Sequence, residues 1–213
     1  MRVSGLSSIS GVPVATIKYY LREGLLHRGA TTSPNQARYD DTHVRRLRLI
    51  RSLVEVGGLP IATVRDVLAA VDDPDTPVHA MLGKAVYAIT ADTDDDQDDH
   101  HDRAVAEVEA MLARNGWHVS EHAPARRSAA SVLARMHRLG QERFTAKLDD
   151  YARAAERIAE ADLAPVADLQ DRGDRAEAAL VGTVLGDALL AALRRMAQES
   201  FSAKHFPPTT DRE

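Results

Sequence analysis

The chain has no cysteine. That excludes disulfides, a thiolate metal centre and a thiol redox sensor. Lysine is scarce too: four of the 27 cationic side chains are lysines and the rest are arginines. Aromatic residues make up only 4% of the sequence, so any apolar pocket must be lined mostly by Leu, Val, Ala and Met. No unbroken run of about 18 apolar residues occurs, and no basic-then-apolar leader opens the chain. Neither a membrane span nor a secretion signal is expected, and a cytoplasmic protein is. Catalytic signatures are lacking as well. There is no nucleophile motif and no phosphate-binding glycine loop, and the paired acids lie in linker-like or helix-surface contexts. Neither an enzyme nor a cofactor is expected.

What is present suffices for a substantial core. With 213 residues, 44% of them hydrophobic, the chain is long enough for two domains. Its net charge of −5 hides an asymmetry: residues 1–71 hold ten Lys/Arg against five Asp/Glu, and the remainder holds seventeen against twenty-seven. A basic N-terminal third on an acidic body fits one polyanion-binding domain joined to something else.

The basic third is organised. Ser4 is expected to cap a first helix with Leu6 and Ile9 facing inward and Gly11 ending it. Pro13 suits the first turn of a second helix, in which Ile17 and Leu21 form an apolar stripe and Gly24 marks the end. That helix carries Thr16, Lys18, Tyr19, Tyr20 and Arg22, a density of hydroxyls and cations that suits a phosphate backbone better than a core. Adjacent helical residues point about 100° apart, so one tyrosine should pack and the other face DNA, and Tyr20 is expected to be the DNA-facing one. Residues 27–38 lack periodicity and read as a loop or small β-wing ending in Arg38-Tyr39. Asp40 or Asp41 is expected to cap a third helix running to Val56, with Val44, Leu47, Ile50 and Val54 inward. Gly57-Gly58 breaks it, and a fourth helix buries Ile61, Val64, Val67, Leu68 and Val71. Arg45, Arg46, Arg48 and Arg51 fit either phosphate contact or an ordinary charged helix face.

Beyond residue 71 the pattern is helical throughout. A helix predicted near 77–90 repeats Val78, Met81, Leu82, Ala85, Val86 and Ile89 close to a heptad seam that would suit a partner helix. The acidic run from Asp92 to Asp102 reads as a linker. Its His100 and His101 invite a metal reading, but the run lacks the alternating ligands and central glycine of a calcium loop, and no metal is expected. Later stripes comprise Val105, Val108, Met111 and Leu112; Val132, Leu133, Met136 and Leu139; and Phe144, Leu148, Tyr151, Ala155 and Ile158. The last helix, about 173–203, is the most apolar.

The first 71 residues resemble the DNA-binding domain of the MerR family of bacterial transcription regulators. The resemblance rests on the Gly11-Val12 turn, Ile17-Lys18-Tyr19-Tyr20, Gly24-Leu25-Leu26, Arg38-Tyr39, Leu47 to Ile50, and Gly57-Gly58-Leu59, and it covers a third of the chain. It implies a homodimer on a pseudo-palindromic promoter element, acting on RNA polymerase indirectly at the promoter. The second helix would lie in the major groove, the wing would grip the flanking backbone, and a small organic effector in the C-terminal domain would throw the switch. Carried onto this sequence, it places Thr16, Lys18, Tyr19, Tyr20, Arg22, Arg38 and Tyr39 at the DNA. The family usually carries arginine where this chain has Lys18, and a single ammonium cannot make the bidentate guanine contact of a guanidinium.

The expected architecture is therefore mainly α. It comprises a winged helix-turn-helix domain over 1–71, a dimerisation helix with acidic linker over 72–102, and a helical effector-binding or dimerisation domain over 103–213. Trp117, His118, Met136, His137, Phe144 and Tyr151 are the candidates for an effector pocket, against a plain helical core. Gly182 and Gly186, one helical turn apart, permit close helix–helix approach, either within the chain or across a dimer interface. Two other functions fit the same sequence: a small-molecule-binding or sequestering protein with weak DNA affinity, and a regulator without effector whose C-terminal helices only dimerise.

Overall fold

The computed structural model describes residues 1–33, 36–73 and 97–206, together with 75, 77, 80, 83, 87 and 90. The dimer candidates Val78, Met81, Leu82, Ala85, Val86 and Ile89 lie outside the described residues. The chain forms two compact units, Met1–Ala69 with Leu180–Glu213, and Ala70–Ala179. This division differs from boundaries at 71 and 102 in assigning the last helix from Leu180 onward to the N-terminal unit.

In the first unit, α1 (Val3–Ser10) and α2 (Val14–Arg22) precede a two-stranded antiparallel sheet, β1 (Ala30–Ser33) and β2 (Gln36–Arg38). The pairing runs Ala30 to Arg38 and Thr31 to Ala37. Then come α3 (Asp41–Arg51), a π-turn over Ser52–Val56, and α4 (Ile61–Asp72). Helix α1 starts two residues earlier than expected, at Val3 with Arg2 in the cap position, so Ser4 lies inside it, and Gly11 ends it at φ 70°. Leu6 is fully buried, but Ile9, expected inward, is 54% exposed, and Ser10 rather than Ile9 takes the buried position at the end of the helix. Asp40 caps α3: its carboxylate accepts from the Thr42 N–H at 3.1 Å, and His43 completes a capping box. The core comprises Leu6, Ile17, Leu25, Leu26, Leu47, Ile50, Leu53, Val64 and Leu68, all at or below 1% exposure. Each such side chain contributes about 1.5–3 kcal/mol on burial. The π-turn changes the winding after Arg51, with the Gly57 N–H bonded to Ser52 O at 3.0 Å. Leu53 rather than Val54 consequently points into the core.

In the second unit, α5 (Asp99–Asn115), α6 (Pro124–Arg138), the short α7 (Glu142–Thr145) and α8 (Leu148–Ala167) lead into α9 (Arg172–His205). Ala104, Val108, Met111, Leu112, Ala130, Leu133, Ala134 and Ala152 form its core. Val105, Val132, Leu139, Phe144 and Tyr151, expected inward, are 39–73% exposed. The alanines take their places because they let α5 and α6 approach closely.

The end of the acidic run is not linker. Asp98 Oδ1 accepts from the His101 N–H at 2.9 Å, which caps α5, and both its oxygens accept from Arg138 at 2.9 Å. Asp99 and Asp102 sit in the first turn, where the helix dipole favours negative charge. Residues 92–96 of that run lie outside the described residues.

Helix α9 holds an 18-residue window of mean hydropathy 1.6 with at most two charged residues. By length and composition alone it is long enough to cross a membrane, which the count of unbroken apolar residues did not reveal. Within its fold, however, Leu180 and Val184 are buried, at 0% and 3% exposure.

Candidate nucleic-acid interface

The turn between α1 and α2 is built by serine hydroxyls. Ser7 Oγ donates to Val12 O at 2.6 Å, Ser10 Oγ donates to Leu6 O at 2.7 Å, and the Val12 N–H donates to Ser10 Oγ at 3.3 Å. These bonds satisfy backbone groups in a turn that Val12 buries, and they fix the start of α2. The other end is pinned as well. Tyr20 O accepts from the N–H groups of Leu25 and Leu26, at 3.0 and 3.3 Å. Arg46 Nε donates to Leu25 O at 3.0 Å. Arg46 thus serves the fold, as does Arg51, which grips Glu55 through two bonds of 2.8 Å.

Held between these anchors, α2 sends Ile17 and Tyr20 inward and presents Lys18 and Arg22 outward, with Thr16 and Tyr19 partly exposed. The Arg22 side chain is 70% exposed, and its guanidinium carbon lies 5.3 Å from the centroid of the Tyr19 ring. This cation–π contact steers the guanidinium, whose Nε also lies 3.7 Å from the Glu23 carboxylate, while the side chain stays largely exposed. Lys18, Tyr19 and Arg22 therefore form one outward cationic-aromatic patch. Tyr20 is the tyrosine that packs, at 6% exposure. This reverses the sequence expectation for the pair. Burial pushes its phenol pKa up, and the nearby Glu55 carboxylate adds to the shift. A ring in that position is a core residue first.

The wing supplies the second element. A Cβ on Gly29 would overlap the carbonyl oxygen of Arg38, so only glycine lets the chain close into the hairpin there. Arg38 is exposed at the end of β2. Tyr39, expected at the DNA beside it, is instead 9% exposed. Its N–H donates to Met1 O at 2.8 Å, and its ring packs edge-on to His43 at 5.0 Å. It anchors the wing to the domain. Asp40 lies at the wing's foot, and its carboxyl is held well below the usual range by hydrogen bonds from Thr42 and then His43. Arg28, exposed just before β1, is a further cation that the sequence reading did not single out. Its signal was its place next to Gly29 in a loop without apolar period.

The effector candidates do not converge. Trp117 packs partly on the core of the second unit, and its Nε1 donates to Glu156 at 3.3 Å. His118, Phe144 and Tyr151 are exposed and Met136 is half-buried. His137 is buried and bonded through Nε2 to Glu107 at 2.9 Å. A groove of about 390 Å³ lies elsewhere, lined by Arg103, Glu107, Arg114, Leu148 and Asp149 with small residues between them. Glu107 alone links it to the candidate set. Among the described residues, no group of three or more His, Asp or Glu is placed to hold a metal ion.

A short braced turn, an outward cationic helix face and a β-wing tied to one core define a winged helix-turn-helix DNA-binding protein. Residues 1–71 match the family described as MerR HTH family regulatory protein. The whole chain is similar to the crystal structure of "the putative transcriptional regulator SCO5550 from Streptomyces coelicolor A3(2)", with 36% identity and a TM-score of 0.71. That similarity covers 97% of this chain and 98% of the other. No curated protein matches by sequence. The chain belongs to the MerR family of helix-turn-helix transcription regulators.

Proposed function

We propose that this protein binds a pseudo-palindromic promoter element as a cytoplasmic homodimer, and that it acts by altering promoter DNA for RNA polymerase rather than by catalysis. The observation that carries the reading is the outward patch of Lys18, Tyr19 and Arg22 on a helix fixed at both ends, with Arg38 exposed on the wing. Helix and wing together offer cations to both a groove and its flanking phosphates. Thr16, Lys18, Tyr19, Arg22 and Arg38 are the proposed contacts. Tyr20 and Tyr39 support them from the core. Lys18, a point charge, favours phosphate over base reading.

The test is binding of the purified full-length protein to its own upstream region in a salt series. Steep loss of affinity with salt and survival against competitor DNA support the reading. Affinity equal to that for random duplex at every salt concentration overturns it.

The second unit is the proposed seat of an effector, on the strength of the groove beneath Arg103 and Arg114. Quenching of Trp117 by a small organic ligand without any operator binding would favour the sequestering alternative. A protein whose operator affinity no ligand changes would favour C-terminal helices that serve only to dimerise.

A further inference from the structure

The wing is anchored at both ends on one buried imidazole. His43, in the first turn of α3, is 4% exposed. The ring of His27, which precedes the wing, lies 4.1 Å from it at 45°, and Tyr39, which follows the wing, meets it edge-on at 5.0 Å. One carboxylate serves both histidines. Asp40 Oδ1 lies 2.7 Å from His43 Nδ1 and accepts from the Thr42 hydroxyl at 2.5 Å. That bond uses the only proton of the hydroxyl, so Thr42 Oγ1 accepts from His27 Nε2 at 3.3 Å. His27, Thr42, Asp40 and His43 thus form a closed ring of contacts.

The contacts at His43 make opposite demands. Its Nδ1 also lies 3.2 Å from the Asp40 N–H, from which it can accept only while unprotonated. To donate to the Asp40 carboxylate it must carry the proton, and that shorter bond strengthens when the ring is charged. The same charge is opposed from two sides. Among the described residues His43 Nε2 is buried without a partner, so an added N–H there would go unsatisfied. A charged His27 in ring contact would repel it as well. The pair therefore takes up one proton for its one carboxylate and resists a second. The other charged or titratable groups on the elements that meet here are Arg28 and Arg38 at the ends of the wing, Tyr39, Asp41 and Arg46 on α3, and the Met1 amine, which donates to Tyr39 O.

We propose that this cluster makes the grip of the wing on DNA depend on pH, one proton entering the histidine pair as DNA binds. The inference rests on the wing as the phosphate contact proposed above. The Asp40 side chain is 69% exposed and stands two residues from Arg38. While both imidazoles are neutral, its charge repels the phosphates that Arg38 attracts. A proton on the pair offsets that charge while Asp40 keeps its place as the cap, and nearby phosphates favour the uptake. Affinity should therefore rise as the pH falls through the range in which imidazole titrates.

The test is fluorescence anisotropy of the full-length protein on its own upstream region at fixed salt, between pH 8 and pH 6. Uptake of about half a proton on average across that span makes binding about tenfold tighter at pH 6. Asp40→Asn keeps a capping side chain but removes the charge, and should bind at pH 8 as tightly as the wild type does at pH 6. His27→Gln combined with His43→Gln should lose the gain, and glutamine at the second position is itself a capping-box residue. Denaturation midpoints at both pH values check the folding of each variant. Where the double variant unfolds, His27→Gln alone decides, since it lies at an exposed position and should lose most of the gain. Equal wild-type affinity at both pH values, or a gain that survives these substitutions, would overturn the inference. A protein that binds no operator at any pH sinks the regulator reading instead, and NMR titration of His27 and His43 then decides the coupling. Two rings that titrate independently overturn it, and a titration of one ring that shifts in the variant of the other supports it.

Discussion

A Cβ on Gly57 would overlap Cγ1 of Val184 and come within 2.7 Å of the Leu53 carbonyl oxygen. The residue after the π-turn is therefore glycine not for a left-handed backbone, its φ being −72°, but because the last helix sits on it. Val184 is 3% exposed there. Gly57→Ala should cost about 1–3 kcal/mol, as overpacking does, measured by chemical denaturation. Adding Val184→Ala should return only part of the loss, since the Leu53 carbonyl belongs to the backbone and cannot move aside. Full recovery would mean that Val184 alone sets the requirement.

The two tyrosines of α2 should separate cleanly. Tyr20→Ala removes a buried ring and should destabilise the domain by about 3–5 kcal/mol, while Tyr19→Ala should leave the melting temperature nearly unchanged. For DNA the order reverses. Lys18→Ala, Arg22→Ala and Arg38→Ala should each weaken binding to all sequences alike and lower the log–log salt slope by about one. Tyr19→Ala should weaken the contribution of Arg22 as well, because the ring that positions the guanidinium is gone. Fluorescence anisotropy across salt concentrations reads all four. If Tyr20→Phe matched Arg22→Ala in its salt effect, the assignment of the pair would fail.

Why the sequence misled at this pair can be stated physically. Ile17 and Tyr20 are three residues apart and share a face, and both are buried. Tyr19 lies about 200° from Ile17. The periodicity that identified Ile17 and Leu21 as a stripe already pointed Tyr20 inward, and its phosphate-binding chemistry outweighed the geometry. Turn chemistry was more legible: Gly11 ends α1 as expected, and of the two candidate caps, Asp40 and Asp41, it is Asp40 that caps α3. Val64, Val67, Leu68 and Val71 form the inner face of α4 as expected. In the helices after residue 98 the stripes were harder to read, because Ala104, Ala130 and Ala134 make the close contacts there. Alanine is so common in this chain that its positions carry no period. The π-turn was invisible for a different reason: one wider turn leaves no compositional mark, yet it exchanges Val54 for Leu53 in the core.

Asp98 ties the start of α5 to Arg138, and its carboxyl is held well below the usual range, first by the Arg138 hydrogen bonds and then by the His101 N–H. A depressed folded-state pKa means that the stabilisation is present above the ordinary carboxylate value of about 3.9. It is lost as the pH falls through the lower folded value. Asp98→Asn keeps an acceptor for the cap but loses the charged pair, and Asp98→Ala loses both. Melting temperatures at pH 7 should therefore fall in the order wild type, Asn, Ala. The gap between wild type and Asn should close as the pH is lowered below 3.9. A gap that stays constant between pH 7 and 3 would show that the carboxylate charge is not what holds Arg138.

Gly29 gives the sharpest test of the wing. A Cβ there meets the Arg38 carbonyl oxygen and comes within 3.1 Å of the Tyr39 ring, so Gly29→Ala must spread the hairpin at the residue that bears the exposed cation. The core packing of Leu6, Ile17, Leu47 and Ile50 does not involve this contact, and the loss should fall on binding rather than on folding. Gly29→Ala is expected to reproduce the affinity and salt slope of Arg38→Ala while shifting the denaturation midpoint by less than Tyr20→Ala does. Combining Gly29→Ala with Arg38→Ala should add little to either alone, since both remove the same phosphate contact. Strictly additive losses would mean that Gly29 acts on DNA binding by some route other than the position of Arg38.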